Sequence, residues 1–122
     1  MKITTIKPFS NDARGTVAEY FHERTGQHLI VFSKAGAVRG RHYHKGISLS
    51  KNPEMLILLS GTCIFNWREV NSQQLQTATV QAPAKIEVSP YVWHELLAVT
   101  DCSFLELNSL SEHVADTFYE NE

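Results

Sequence analysis

The sequence predicts an all-β sandwich or barrel, on three observations: its apolar stretches are short, turn residues separate them, and no long segment repeats with the helical period of 3.6. Residues 28–32, 55–59 and 104–107 are too brief for globular helices and are rich in Ile, Leu, Val and Phe. Residues 15–21, 62–70, 75–80 and 86–88 have strand composition or partial alternation. Between them stand Thr25-Gly26, Lys34-Ala35-Gly36, Lys51-Asn52-Pro53, Ser60-Gly61, Asn71-Ser72 and Ser89-Pro90, all residue types that turns use. Strand candidates recur every 8–15 residues, a spacing that suits sandwiches and barrels. Only residues 109–119 suggest a helical turn, with Ser111 as its N-cap.

Composition narrows the function classes. The chain has 122 residues, 43% of them hydrophobic, and a formal charge of -2 with no Lys/Arg cluster. Residues 1–122 therefore read as one domain, and nucleic acid and anionic membrane are poor partners. No apolar run approaches the ~18 residues of a membrane span. Met1-Lys2-Ile3-Thr4 opens no export pattern, so the expected compartment is the cytoplasm. Cys63 and Cys102 lack a Cys-x-x-Cys spacing and are expected as reduced, buried strand residues. Phe65, Trp67 and Phe104 are expected in the core, whereas His22, His28 and His113 have no partner by spacing and are expected on the surface. Edge strands and the apolar residues 3–6 lead to an expected homodimer, with that segment pairing across a two-fold axis.

The chemistry gathers elsewhere. On a strand the side-chain period is two, so His42 and His44 point to one face. Glu54 follows after nine residues, at the head of an apolar strand that ends in Ser60-Gly61. Residues 89–94 bring His94 from another strand. Three neutral imidazoles and one carboxylate suit a divalent ion such as Zn, Ni, Mn or Fe, with positions left open for a ligand. No organic cofactor is expected. Arg39 shares strand parity with Arg41 and Tyr43, opposite the histidines, which places it on a solvated face; a bulge at Gly40 would turn it inward. Both placements stay open. Tyr91 and Trp93 are placed at the pocket mouth, where aromatic rings stack on sugars and bases, with core packing the alternative for Trp93. Asp12 and Arg14 read as an ion pair that closes a turn.

The run Gly36, five residues, His42-x-His44, an interval, Glu54, six residues, Gly61 resembles the first cupin motif, and residues 90–94 resemble the second. The resemblance implies an all-β double-stranded β-helix, the cupin jelly roll, in a single domain, with His42, His44, Glu54 and His94 as metal ligands. The interval before Glu54 is longer than the motif's, which implies a loop inserted beside the pocket. The second motif lacks its glycine and is one residue short. Val38-Arg39-Gly40-Arg41-His42-Tyr43-His44-Lys45 is similar to the Arg-Gly-x-His run of dTDP-4-dehydrorhamnose 3,5-epimerases and of dTDP-sugar 3,4-ketoisomerases, where the latter continue x-His-Lys. Asp12-Ala13-Arg14-Gly15-Thr16 resembles the entry segment of both. The metal-binding C-terminal cupin domain of capsular-polysaccharide reductases shares Asp-x-Arg-Gly-Thr, His-x-His, Glu and Ser-Gly in the same order. Gln is usual at the position of His44 in the epimerases, and at that of Glu54 in the ketoisomerases.

These resemblances imply an isomerase or epimerase for a nucleotide-linked keto-deoxysugar in cell-surface polysaccharide synthesis, abstracting a proton beside a carbonyl. Without metal, His42 is the base and His44 or Tyr91 the proton donor, while Arg39, Tyr43 and Trp93 bind substrate. With metal, the ion holds the oxygen and its ligands are not bases. A non-catalytic, metal-binding cupin that holds a sugar or assists a partner, and a metal-dependent dioxygenase, remain the alternatives.

Overall fold

Among residues 1–120, which the computed structural model describes, eleven strands and one helix follow in order. They are β1 (Lys2–Thr5), β2 (Ser10–Asp12), β3 (Gly15–Val17), β4 (Leu29–Ser33), β5 (Val38–His42), β6 (Glu54–Ser60), β7 (Thr62–Glu69), β8 (Gln76–Gln81), β9 (Ala84–Val88), β10 (Val92–Ala98), β11 (Cys102–Glu106) and α1 (Leu110–Ala115).

The last eight strands pair first with last: β4 with β11, β5 with β10, β6 with β9 and β7 with β8, all antiparallel. Two facing sheets result, β1-β9-β6-β11-β4 and β5-β10-β7-β8. This nested order is a jelly roll, so the single-domain, all-β expectation holds. Local patterning explains the layers. Along β10, Val92, His94, Leu96 and Ala98 are buried while the residues between them are half-buried, the alternation of a strand with one face on the core. Strand β6 instead has five consecutive buried residues, Glu54 to Leu58. Leu56 and Leu58 join Phe65, Ile86 and Phe104 between the sheets, whereas Met55 and Ile57 meet Leu107, Ile6 and Tyr20 on the outer side. That two-sided burial is why residues 55–59 form an unbroken apolar run rather than an alternating one. Phe65 is fully buried, which contributes roughly 1.5–3 kcal/mol over exposure.

The hairpin from β6 to β7 turns at Gly61, where a side chain would place Cβ 2.2 Å from the Asp101 carbonyl; the close approach admits only glycine. Asp12 closes the β2–β3 turn by accepting from the Arg14 backbone at 2.9 Å and its guanidinium at 2.8 Å. Cys63 and Cys102 are buried and unbonded to each other.

Three expectations are corrected. The strand foreseen over residues 15–21 spans only Gly15–Val17, in an exposed hairpin. Within the chain the N-terminal segment pairs Lys2 opposite Glu87 through Thr5 opposite Ala84, as an edge strand of its sheet. Ser109, not Ser111, caps α1: its Oγ accepts from the Glu112 N–H at 3.2 Å, and Glu112 Oε1 accepts from the Ser109 N–H at 2.9 Å. His113, on that helix, faces the interior and not solvent, because the helix packs over one end of the sandwich. Among the described residues no helix is long and apolar enough to cross a membrane.

Candidate functional site

The strands β5, β6 and β10 bring His42, Glu54 and His94, and the segment just after β5 brings His44, to one end of the space between the sheets. His42 ends β5 directly opposite His94 on β10. The next residue, Tyr43, is held by paired backbone bonds with Phe118, both 2.9 Å, and His44 follows on the same side as His42. The imidazole centroids lie 4.9 Å (His42–His44), 5.0 Å (His42–His94) and 5.2 Å (His44–His94) apart, and the Phe65 ring stacks 5.9 Å from His94. Glu54 is buried among them, Oε2 2.9 Å from His44 Nε2 and Oε1 3.2 Å from His94 Nε2.

Backbone carbonyls fix two of the rings. His44 Nδ1 donates to the Asp116 carbonyl at 2.6 Å and His94 Nδ1 to the Val92 carbonyl at 3.0 Å. A carbonyl only accepts, so Nδ1 carries a hydrogen in both rings and Nε2 turns inward toward Glu54. His44 Nε2 is buried and, although close to Glu54, has no hydrogen bond of acceptable geometry. Carbonyl-anchored imidazoles that present Nε2 inward are what metal ligation requires. One candidate ligand atom from each of His42, His44 and His94 lies within 4.8 Å of the others. The three histidines fit a divalent ion, as their residue types imply.

The structure adds residues that sequence reasoning did not assign. Lys51, fully buried, donates to Glu54 Oε2 and lies 3.0 Å from His113 Nδ1. His113 is itself 5.4 Å, ring to ring, from His42 and 5.8 Å from His44. The Tyr119 ring stands 6.0 Å from His42. Glu106 at the end of β11 lines a small cavity of about 30 Å³ together with Arg39, His42, Glu54, His94 and Phe104. That space has room for about one water molecule and none for a sugar, so a larger ligand would sit above His42 at the mouth.

Electrostatics separates these groups. Burial, reinforced by repulsion from His94 and His44, lowers His42 to about 3. Burial and the Lys51 charge lower His113 to about 4. Burial would raise Glu54, but the imidazoles of His44 and His94 and the Lys51 ammonium outweigh it and hold the carboxyl well below its usual range. Glu106 goes the other way: burial, then the nearby Glu54 charge, raise it to about 7 against Lys51, His94 and Arg39.

Of the expected substrate contacts, Arg39 is brought to the lip. Gly40 (φ 93°) and Arg41 (φ 63°) form a bulge opposite the His94–Glu95 step, so Arg39 pairs with inward-facing Leu96. Its Nε donates to Ser33 Oγ at 2.9 Å and Nη2 to the Phe32 carbonyl at 3.1 Å, two of five donors used. Tyr43 and Tyr91 are not brought to the cluster. Tyr91 has a left-handed backbone (φ 61°) that sends its ring outward to stack on Tyr43 at 6.0 Å, beside Phe118. Proton donation by Tyr91 is therefore set aside, and by His44 too, since its ring is 1% exposed and its N–H is spent on Asp116. Trp93 faces outward under the Arg68 guanidinium, 4.8 Å away, in a polar groove of about 670 Å³ that Arg41 and Tyr119 also line.

Among curated proteins none matches the chain. Solved structures with this fold include the sugar 3,4-ketoisomerase QdtA from Thermoanaerobacterium thermosaccharolyticum in complex with TDP, with a TM-score of 0.70 and 17% identity over 96% of this chain and 85% of that one. The dTDP-4-dehydrorhamnose 3,5-epimerase from Sulfolobus tokodaii gives 0.60 and 20%, covering 84% of this chain and 64% of that one. The capsular polysaccharide assembling protein CapF from Staphylococcus aureus gives 0.61 and 20% over 93% of this chain, which spans only 34% of CapF. These likenesses show the cupin jelly roll. Residues 10–117 match the family described as "Polysaccharide biosynthesis C-terminal domain", and the chain belongs to that family.

Proposed function

We propose that the protein isomerises or epimerises a keto-deoxysugar carried on a nucleotide, for polysaccharide synthesis, by moving a proton beside the carbonyl. One observation carries the reading: the bulge at Gly40 sets a guanidinium, Arg39, on the same face and at the same mouth as His42. A diphosphate on Arg39 would hold the sugar over the imidazole. Family membership and the nucleotide-sugar enzymes among the fold's relatives support the same chemistry.

Proton transfer falls to residues of opposite tuning. His42 is the most accessible of the four ligand candidates at 8% exposure and is neutral at physiological pH. It gains basicity as the negative charge of an enolate develops beside it, because that charge offsets the burial that lowers it. Glu106, near 7, holds or releases a proton at working pH. A divalent ion on His42, His44 and His94 would supply Lewis-acid polarisation of the keto oxygen. His42 is then a ligand and no longer a base, and Glu106 remains the proton carrier. Trp93, Arg41 and Arg68 offer the nucleotide a stacking and charged surface next to Tyr119.

The test is hydrogen exchange. A dTDP- or UDP-linked 4-keto-6-deoxy sugar incubated with the protein in D₂O should take up deuterium beside its carbonyl, the minimal signature of an enolate. A sugar nucleotide that binds yet never exchanges leaves the second reading, a metal-binding cupin without turnover. The low proton affinity of His42 and the unspent Nε2 of His44 favour that second reading.

A further inference from the structure

The nine residues between His44 and Glu54 are a built structure. Asp116, fully buried, accepts from the Lys45 N–H at 2.8 Å and the Ser48 N–H at 3.1 Å. Ser50 Oγ donates to Glu112 at 2.8 Å. Arg24 grips the insert from the other side, donating to the Leu49 carbonyl at 3.1 Å and the Pro53 carbonyl at 2.7 Å. All these contacts fix one side chain, Lys51, whose ammonium is 0% exposed.

The position of that ammonium is informative. His44, Glu54 and His113 present a second set of ligand atoms within 4.8 Å of one another, and Lys51 Nζ bonds two of the three. It takes the Glu54 oxygen nearest His44 Nε2 and the inward lone pair of His113 Nδ1. Those are the electron pairs a metal ion would use. We infer that Lys51 is a tethered cation occupying the Glu54 Oε2 side of the metal site: while Lys51 is in place a divalent ion meets His42, His44 and His94 with at most Glu54 Oε1, and it gains Oε2 only when Lys51 is displaced. Charge supports this, since one ammonium neutralises one buried carboxylate, whereas an added dication would leave the pocket with excess positive charge. The inference does not depend on the substrate.

Metal-stripped full-length protein titrated with Co²⁺, by calorimetry and by the visible absorption of the bound ion, provides the test. Lys51→Met should bind Co²⁺ more tightly than the wild type by ~10-fold or more, the scale on which groups bonded to a metal's ligands act. The absorption spectrum should change with the added oxygen ligand. The double variant Lys51→Met/Glu54→Gln, which removes both buried charges, should lose that gain. Equal or weaker binding by Lys51→Met, or a gain that survives in the double variant, overturns the inference. If Lys51→Met does not fold without metal, Lys51→Gln is the deciding variant: it removes the charge while keeping a donor toward Glu54 and should tighten binding by a smaller factor, and no tightening rejects the idea.

Discussion

Arg39 and His42 lie three residues apart on one strand and yet face the same cavity, because Gly40 and Arg41, both with positive φ, insert one extra residue opposite the His94–Glu95 step. A regular strand would put them on opposite faces. The bulge therefore sets where a bound diphosphate would lie relative to the proton-accepting ring, and it depends on the absence of a side chain. A Cβ at Gly40 would stand 2.8 Å from the His94 carbonyl, at a φ that L-residues rarely adopt. Gly40→Ala should cost about 1–3 kcal/mol of stability, read as a lower urea midpoint at unchanged slope. Wild-type stability in this variant would mean that the bulge is not strained by a side chain.

Removing the two partners should have separable effects. Arg39→Ala is expected mainly to raise KM for the nucleotide sugar, since a diphosphate contact acts equally in ground and transition states. His42→Ala should instead slow deuterium exchange by roughly 10²–10⁴, the usual contribution of acid–base catalysis. A His42→Ala variant exchanging at the wild-type rate shifts the base assignment to Glu106.

Stability of the metal-free protein should depend on pH in two opposing windows. Glu106 is raised in the fold from 4.5 to about 7. Between those values the folded state keeps a proton that the unfolded state has lost, so stability falls as pH rises, by on the order of 1–3 kcal/mol at completion. Glu106→Gln should thus match the wild type near pH 4 and exceed it at pH 8. His42 and His113, lowered from 6.5 to about 3 and about 4, act oppositely: the unfolded state binds protons first, so stability is lost as pH falls below about 6.5. Urea midpoints from pH 4 to 8 check both; a pH-independent difference between Glu106→Gln and wild type would show that Glu106 is not raised.

We propose that the chain dimerises through the outer face of its five-stranded sheet. Ile30 and Phe32 on the edge strand β4 are 64% and 74% exposed, and a groove of about 550 Å³ beside Leu59, Ile57 and Pro83 continues the apolar face. A second copy would cover the open edge of β4 and this groove together. Sedimentation should show a dimer that Phe32→Glu dissociates, and a concentration-independent monomer would reject it.

Short-range features of the site were legible in the sequence. A separation of two places His42 and His44 on one side wherever the backbone is extended, and turn residues at Ser60-Gly61 and Ser89-Pro90 delimit the strands that carry Glu54 and His94. The longer interval before Glu54 announced an insert, but nothing in it singled out Lys51 from its other lysine, Lys45. What Lys51 does was decided by tertiary structure. It meets a histidine 62 residues away, on a helix whose docking over the sandwich no local pattern encodes. The same holds for Glu106, whose proton affinity comes from burial and from charges on other strands, and for Tyr91, whose left-handed backbone reverses the direction expected from its neighbours. Periodicity and turn chemistry act between residues a few positions apart, so a sequence displays them. Pairing register and the burial of charge depend on which distant segments meet, and only the folded chain fixes that.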